Sequence, residues 1–194
     1  MKQARTITPG KLLSRRVRGG VLRRFRRSSE GSSAVEFALL AMPFFGILFA
    51  TLEATAVFFA SVSLETGAAE ASRMVRTGQV QLQGLSREDI RNTICDAMFM
   101  GCDNRMQIDV RRFDNFSAID FTDPLTEDGD LRTDLMFQPG NPGDIVLVRV
   151  FYVWEIATPF LGAAMSNMSS GSRLIISSAA FRNEPFGNAQ AAGG

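Results

Sequence analysis

The run Phe37-Ala38-Leu39-Leu40-Ala41-Met42-Pro43-Phe44-Phe45-Gly46-Ile47-Leu48, continuing in the same character to Leu64, decides the architecture of this 194-residue chain. Of the 28 residues from Phe37 to Leu64, 21 are apolar and Glu53 alone is charged. A bilayer core of about 30 Å takes about 20 apolar residues at roughly 1.5 Å of helical rise each, so the run is long enough to span a membrane with a turn or two to spare. The charges on either side agree. Residues 1–31 carry ten of the 21 basic residues and one acid, a net of +9, while residues 32–194 carry a net of −8, so the overall +1 averages two opposed segments. Arg15, Arg16, Arg18, Arg23, Arg24, Arg26 and Arg27 precede the run, whereas the 25 residues after it offer Arg73, Arg76 and Arg87. By the positive-inside bias the N-terminus is expected to be cytoplasmic and the C-terminal 130 residues to lie on the far side.

Composition removes much chemistry. The chain has no histidine, which excludes a Ser-His-Asp triad, a Cys-His pair, a histidine zinc site and a histidine proton shuttle. Serines such as Ser166, Ser169, Ser170, Ser172, Ser177 and Ser178 have no evident base, since no lysine follows Lys11. A pair of acids brought together by folding stays open as a route to a tethered enzyme, but no catalytic residue, cofactor or metal is expected. Cys95 and Cys102 are too few for a thiolate cluster and lack the C-x-x-C spacing of redox motifs. On the far side of the membrane they are expected to form a disulfide, which the loop-entropy model values at roughly 2.5 kcal/mol; two buried thiols in a reduced protein are the alternative. The acids Asp123, Glu127, Asp128, Asp130 and Asp134 fall in a Pro- and Gly-rich stretch, Thr122 to Gly143, without EF-hand spacing, so a solvated loop is favoured over a calcium site.

The junction Glu30-Gly31-Ser32-Ser33-Ala34-Val35-Glu36-Phe37 joins the basic arm to the apolar helix. A glycine followed by two serines gives flexible, exposed backbone that a protease can grip. Glu36 lies inside the apolar pattern, where a carboxylate at bilayer depth costs on the order of 2.5 to 3.5 kcal/mol and calls for a partner. Glu53 is expected near the outer half of the span or at a helix–helix contact.

Gly31, four residues and Glu36 resemble the type IV prepilin processing motif. The resemblance implies a membrane-embedded prepilin peptidase cutting after Gly31, with Ser32 as the new N-terminus. Glu36 then stands fifth in the mature chain, able to meet the freed α-amino group of a neighbouring subunit. Gly31 to Leu40, Pro43, the run Glu70-Ala71-Ser72-Arg73 before Gly78, and the C-terminal Val150 to Trp154, Thr158-Pro159-Phe160 and Ala179 to Pro185 are similar to the TadE-like pseudopilins of the tight-adherence (Flp-type) pilus. Where the Flp pilin pattern prefers Glu-Tyr, this chain has Glu36-Phe37. The resemblance implies a minor, non-enzymatic pilus subunit in the bacterial inner membrane with a periplasmic domain. Its implied partners are the prepilin peptidase, other pseudopilins and pilus assembly components, and the lipid bilayer.

Three rival readings were weighed. A secretory signal peptide with Phe37 to Leu52 as its core and Ala54-Thr55-Ala56 as its cleavage site conflicts with Glu53 and with Val57-Phe58-Phe59, which continue the apolar helix past that site. A nucleic-acid arm lacks aromatic interleaving beyond Phe25, and topogenic arginines explain the charge without it. An uncleaved membrane scaffold leaves Glu36 incidental.

The expected fold is α+β and pilin-like: a leader at 1–31, a helix over 32–77 whose first half is transmembrane, and an extracytoplasmic domain over 78–194 with an antiparallel sheet packed on the helix's second half. Pro43 is expected to kink the helix, and Gly78 to cap its C-terminus. Ser86 reads as the N-cap of a helix from Arg87 to about Phe99. Strands are expected at Met106–Phe113, weakly at Ser117–Phe121, at Asp144–Ile156 in a central position, and at Arg173–Phe181. A short helix is expected from Thr158 to about Met168, and a polar tail from Gly187.

Overall fold

A computed structural model of the protein describes residues 31–99, 101–158 and 161–187; the leader before Gly31, Pro159-Phe160 and the tail after Gly187 lie outside the described residues. The backbone divides into two compact units that meet in sequence between Ile47 and Leu48. Helix α1 runs from Ser32 to Arg76 and is unbroken in hydrogen bonding across Pro43. No residue from Ser32 to Leu52 is buried, although Phe37, Leu39, Leu40, Met42 and Phe44 are among them. The helix is long and apolar enough to cross a membrane.

Within the unit that begins at Leu48, α1 becomes one layer of an α+β domain. Val57, Ala60, Leu64, Ala68, Ala71 and Val75 recur at spacings of three and four, the period of one helical face, and all are buried. They pack on the even-numbered positions of the sheet's central strand, Val146, Val148, Val150 and Tyr152, and on Met106, Ile108 and Val110 of its neighbour. The face is small because helix and sheet come close: a Cβ at Gly67 would lie 2.7 Å from Ile94 Cγ2.

The sheet is antiparallel in the order β1 (Met106–Phe113), β2 (Ile145–Trp154), β3 (Arg173–Arg182). β2 is central and is buried on both faces as far as Tyr152, as expected of a strand apolar at nearly every position. The register sets Ile108 opposite Val150 and Val110 opposite Val148 on the helix side.

The connections between these layers follow local chemistry. After α1, Gly78 adopts φ 79°, and the Phe186 ring occupies the space a Cβ would need there. A short helix α2 (Gln79–Gln83), absent from the sequence expectation, follows and closes on Gly84. Ser86 caps α3 (Arg87–Ala97) in a reciprocal capping box: its hydroxyl accepts from the Asp89 N–H, while the Asp89 carboxylate accepts from the Ser86 N–H. α3 stops at Ala97, short of Phe99, because Met98 turns to extended backbone and buries its side chain in the core. Cys95 and Cys102 are joined, with Cα atoms 5.6 Å apart.

Two expectations fail. Ser117–Phe121 is no strand: Phe116–Ala118 is a single tight turn, held by Ala118 N–H to Asn115 O and Ile119 N–H to Phe116 O. The β1 edge that it would have covered is taken by the end of the acidic loop, through Val110 N–H to Met136 O and Gln138 N–H to Val110 O. The helix expected to reach Met168 is one turn, α4 (Gly162–Met165), since the N–H groups of Asn167 and Met168 both turn to Ser172 O.

Candidate functional site

The junction at the head of α1 is open. Gly31 through Leu40 are exposed, and the Ser32 hydroxyl donates to Glu36 Oε1 at 3.1 Å. A Cβ on Gly31 would meet nothing within 4 Å among the described residues, and its backbone lies outside the left-handed region. Nothing described within the fold therefore requires glycine there. Phe37 is 70% exposed and shares this open end with Glu36.

Glu53, the other acid of the apolar run, has the opposite surroundings. It is 7% exposed, and its partners come from the end of β2, about one hundred residues downstream. Trp154 Nε1 donates to Oε1 at 2.7 Å; the Thr158 N–H and hydroxyl donate to Oε2 at 3.1 and 2.9 Å; the Ala157 N–H adds a longer bond of 3.4 Å. The placement expected from sequence is corrected here: Glu53 ties α1 to the sheet rather than facing another membrane helix. Hydrogen bonds to a charged acceptor are worth about 1.5 to 3 kcal/mol each when well formed. Each donor here would lose its partner with the carboxylate.

A second charged cluster lies on the sheet face away from α1. Asp109 and Arg149 are directly opposed across β1 and β2, and Arg149 Nη2 donates to Asp109 Oδ2 at 2.7 Å. Arg111 donates to the same carboxylate, and Met136 N–H completes it at 2.7 Å. An adjacent cavity of about 230 Å³ is lined by Arg111, Arg132, Arg149, Asp120 and Asp134 among others. Its charges are mutually matched. The Arg132 guanidinium holds the Asp134 carboxyl below the usual range, and hydrogen bonds from the Thr122 hydroxyl and N–H do the same for Asp120. Neither acid is held protonated, as a general acid would need to be. Among the described residues no group of three or more His, Cys, Asp or Glu is placed to hold a metal. Asp130 accepts from Ser169, and Asp123 from the Leu125 N–H, so these two acids organise their own loop.

The C-terminal residues Asn183 and Glu184 join three elements. Asn183 is buried and donates to Pro139 and Asn141 carbonyls, while the Glu184 N–H caps Arg76 O at the end of α1. Sequence reasoning missed Glu53, Asp109 and Arg149 as organising residues. The available signal was one charge of each sign inside two otherwise apolar strands, and one acid inside an apolar helix.

The open junction and the helix behind it are what comparison with known families addresses. Residues 31–73 match the TadE-like protein family. The TadE-like segment thus begins at Gly31, takes in both glutamates and ends within the buried half of α1. The match implies a subunit associated with a tight-adherence pilus, and TadE-like proteins are structural pilus components rather than enzymes. No curated protein and no solved structure matches the chain.

Proposed function

We propose that this protein is a minor pilin-like subunit, a pseudopilin, needed to assemble a tight-adherence pilus, and that prepilin peptidase cuts it after Gly31. The observation that carries this reading is the junction. The TadE-like segment starts at Gly31, the glycine is exposed, and no described neighbour restricts which residue stands there. A requirement for glycine would then come from an outside reader of the backbone, as a peptidase cleft is. Cleavage leaves Ser32 as the N-terminus, four residues before Glu36 and at the start of a helix able to hold the subunit in lipid. There Glu36 can neutralise the new α-amino group of a neighbouring subunit, which offsets the expense of both charges in an apolar setting.

The basic leader orients the helix with its N-terminus in the cytoplasm, so the domain from Leu48 onward extends into the periplasm from the inner membrane. With the leader gone, the working subunit carries the net −8 of residues 32–194. Its partners are other pseudopilins and the pilus assembly components.

The deciding measurement is the mass of the protein extracted from membranes of a strain with an active prepilin peptidase. A species beginning at Ser32 is expected; an intact chain beginning at Met1 overturns the processing and leaves an uncleaved scaffold. Glu36→Ala is expected to insert normally and to lower piliation, and normal piliation would remove the paired-charge account.

A further inference from the structure

Within the domain, α1 shows an apolar stripe on the side away from its buried face. Leu48, Leu52, Phe59 and Val62 follow helical spacing and are 40%, 57%, 54% and 44% exposed, with Phe58 beside them at 64%. The stripe stops at Glu65 and Thr66, both exposed and polar. A second element contributes to it. In the loop closed by the Cys95–Cys102 bond, Met98 turns inward while Phe99 turns outward and remains 65% exposed. Phe99 meets Phe59 edge to face, with ring centroids 6.5 Å apart. Tyr152 donates to Gly101 O, which fixes the loop at the end of the sheet where β1 starts and β2 finishes.

Residue counting suggests what covers this patch. About 20 apolar residues fill a bilayer core, and twenty counted from Phe37 end at Ala56, so the residues just beyond fall at the level of the lipid headgroups. From Ala54 to Leu64 there is no charged residue, and none from Ala97 to Cys102. Trp154 sits against Glu53 immediately before this level, in keeping with the enrichment of tryptophan at membrane interfaces. An uncharged aromatic surface continuous with an apolar run suits lipid, and apolar rings lying in the headgroup boundary bind there without spanning it.

We propose that Phe58, Phe59, Val62 and Phe99 rest in the headgroup layer of the membrane that α1 enters, making the disulfide loop a second, non-spanning lipid contact of the domain. This rests on the reading of α1 as a membrane span. It gives the disulfide loop a task beyond stability, which is to hold Phe99 outward beside Phe59. A subunit drawn from the membrane into a fibre would have to strip this patch of lipid.

The test uses the full chain in vesicles of phosphatidylethanolamine and phosphatidylglycerol, with or without brominated phosphatidylcholine. Tryptophan reporters are placed singly by Phe99→Trp, Phe59→Trp, Phe44→Trp in the apolar run, and Phe116→Trp, which follows the opposite end of β1 and is 52% exposed. Each is read as a difference from the parent, whose Trp154 supplies the background, and circular dichroism checks the fold. The expected result is loss of emission to bromine for Phe44→Trp, Phe99→Trp and Phe59→Trp, and retention for Phe116→Trp. If Phe44→Trp is quenched while both patch reporters keep their emission, the lipid contact is overturned and the span stands. If Phe44→Trp also keeps its emission, both readings fall. Patch reporters shielded only as protein rises relative to lipid would assign the patch to a second protein and overturn the proposal.

Discussion

The two glutamates of helix α1 show how one apolar sequence serves two environments. Glu36 is exposed and receives a bond from Ser32, a neighbour four residues away. Glu53 is buried under four donors from a strand end about one hundred residues later. The glycines repeat the contrast: a Cβ at Gly46 would meet nothing within 4 Å, whereas one at Gly67 would strike Ile94. Up to Leu52 the helix keeps its apolar side chains outward, to be covered by lipid or by other subunits; from Glu53 it buries a narrow stripe of small residues against its own sheet. Substitutions in the first half should therefore alter processing and assembly, and those in the second should alter stability.

The sharpest break of that comparison is Gly31→Val. Cleavage should be lost outright in the mass spectrum while the domain's denaturation midpoint stays unchanged; a lowered midpoint would mean that Gly31 belongs to the fold. Next comes Glu53→Ala, which strands the Trp154 and Thr158 donors and should lower stability by about 3 kcal/mol in urea unfolding. Glu36→Ala, the matched change, should leave the midpoint in place, and equal losses at the two sites would erase the distinction. Gly67→Ala should destabilise by about 1 to 2 kcal/mol, since the crowding of Ile94 outweighs the helix propensity gained, while Gly46→Ala leaves the domain unaffected.

The smallest effect concerns α3. Ser86→Ala should cost about 1 kcal/mol through the lost cap. Its partner Asp89 has its carboxyl held below the ordinary value by hydrogen bonds from Ser86, first the hydroxyl and then the N–H. A lowered folded value means that this contribution is complete above the unfolded aspartate pKa of about 4 and fades as the pH falls through the folded one. Acid titration of parent and Ser86→Ala should converge in that range, and a gap that persists at the lowest pH would assign the cap to the hydroxyl alone.

Much of this was legible in the sequence because its causes are local. Twenty-eight residues with a single charge determine a helix that can enter a membrane, since periodicity and length alone decide it. Ser86, Glu88 and Asp89 determine the start of α3, and the unbroken apolar run from Ile145 determines a strand buried on both sides. Ser117–Phe121 was misread because its alternation is weak and its own side chains satisfy the backbone locally.

What only the tertiary structure decided depends on partners far apart in the chain. Nothing near Glu53 in sequence announces Trp154 and Thr158, and nothing near Asp109 announces Arg149 across the register. The length of the apolar run also hides where the protein's own core begins, because lipid and sheet select for the same apolar side chains. The small residues Ala60, Gly67, Ala68 and Ala71 take their meaning from the closeness of Ile94 and the sheet, and that closeness exists only once the chain has folded.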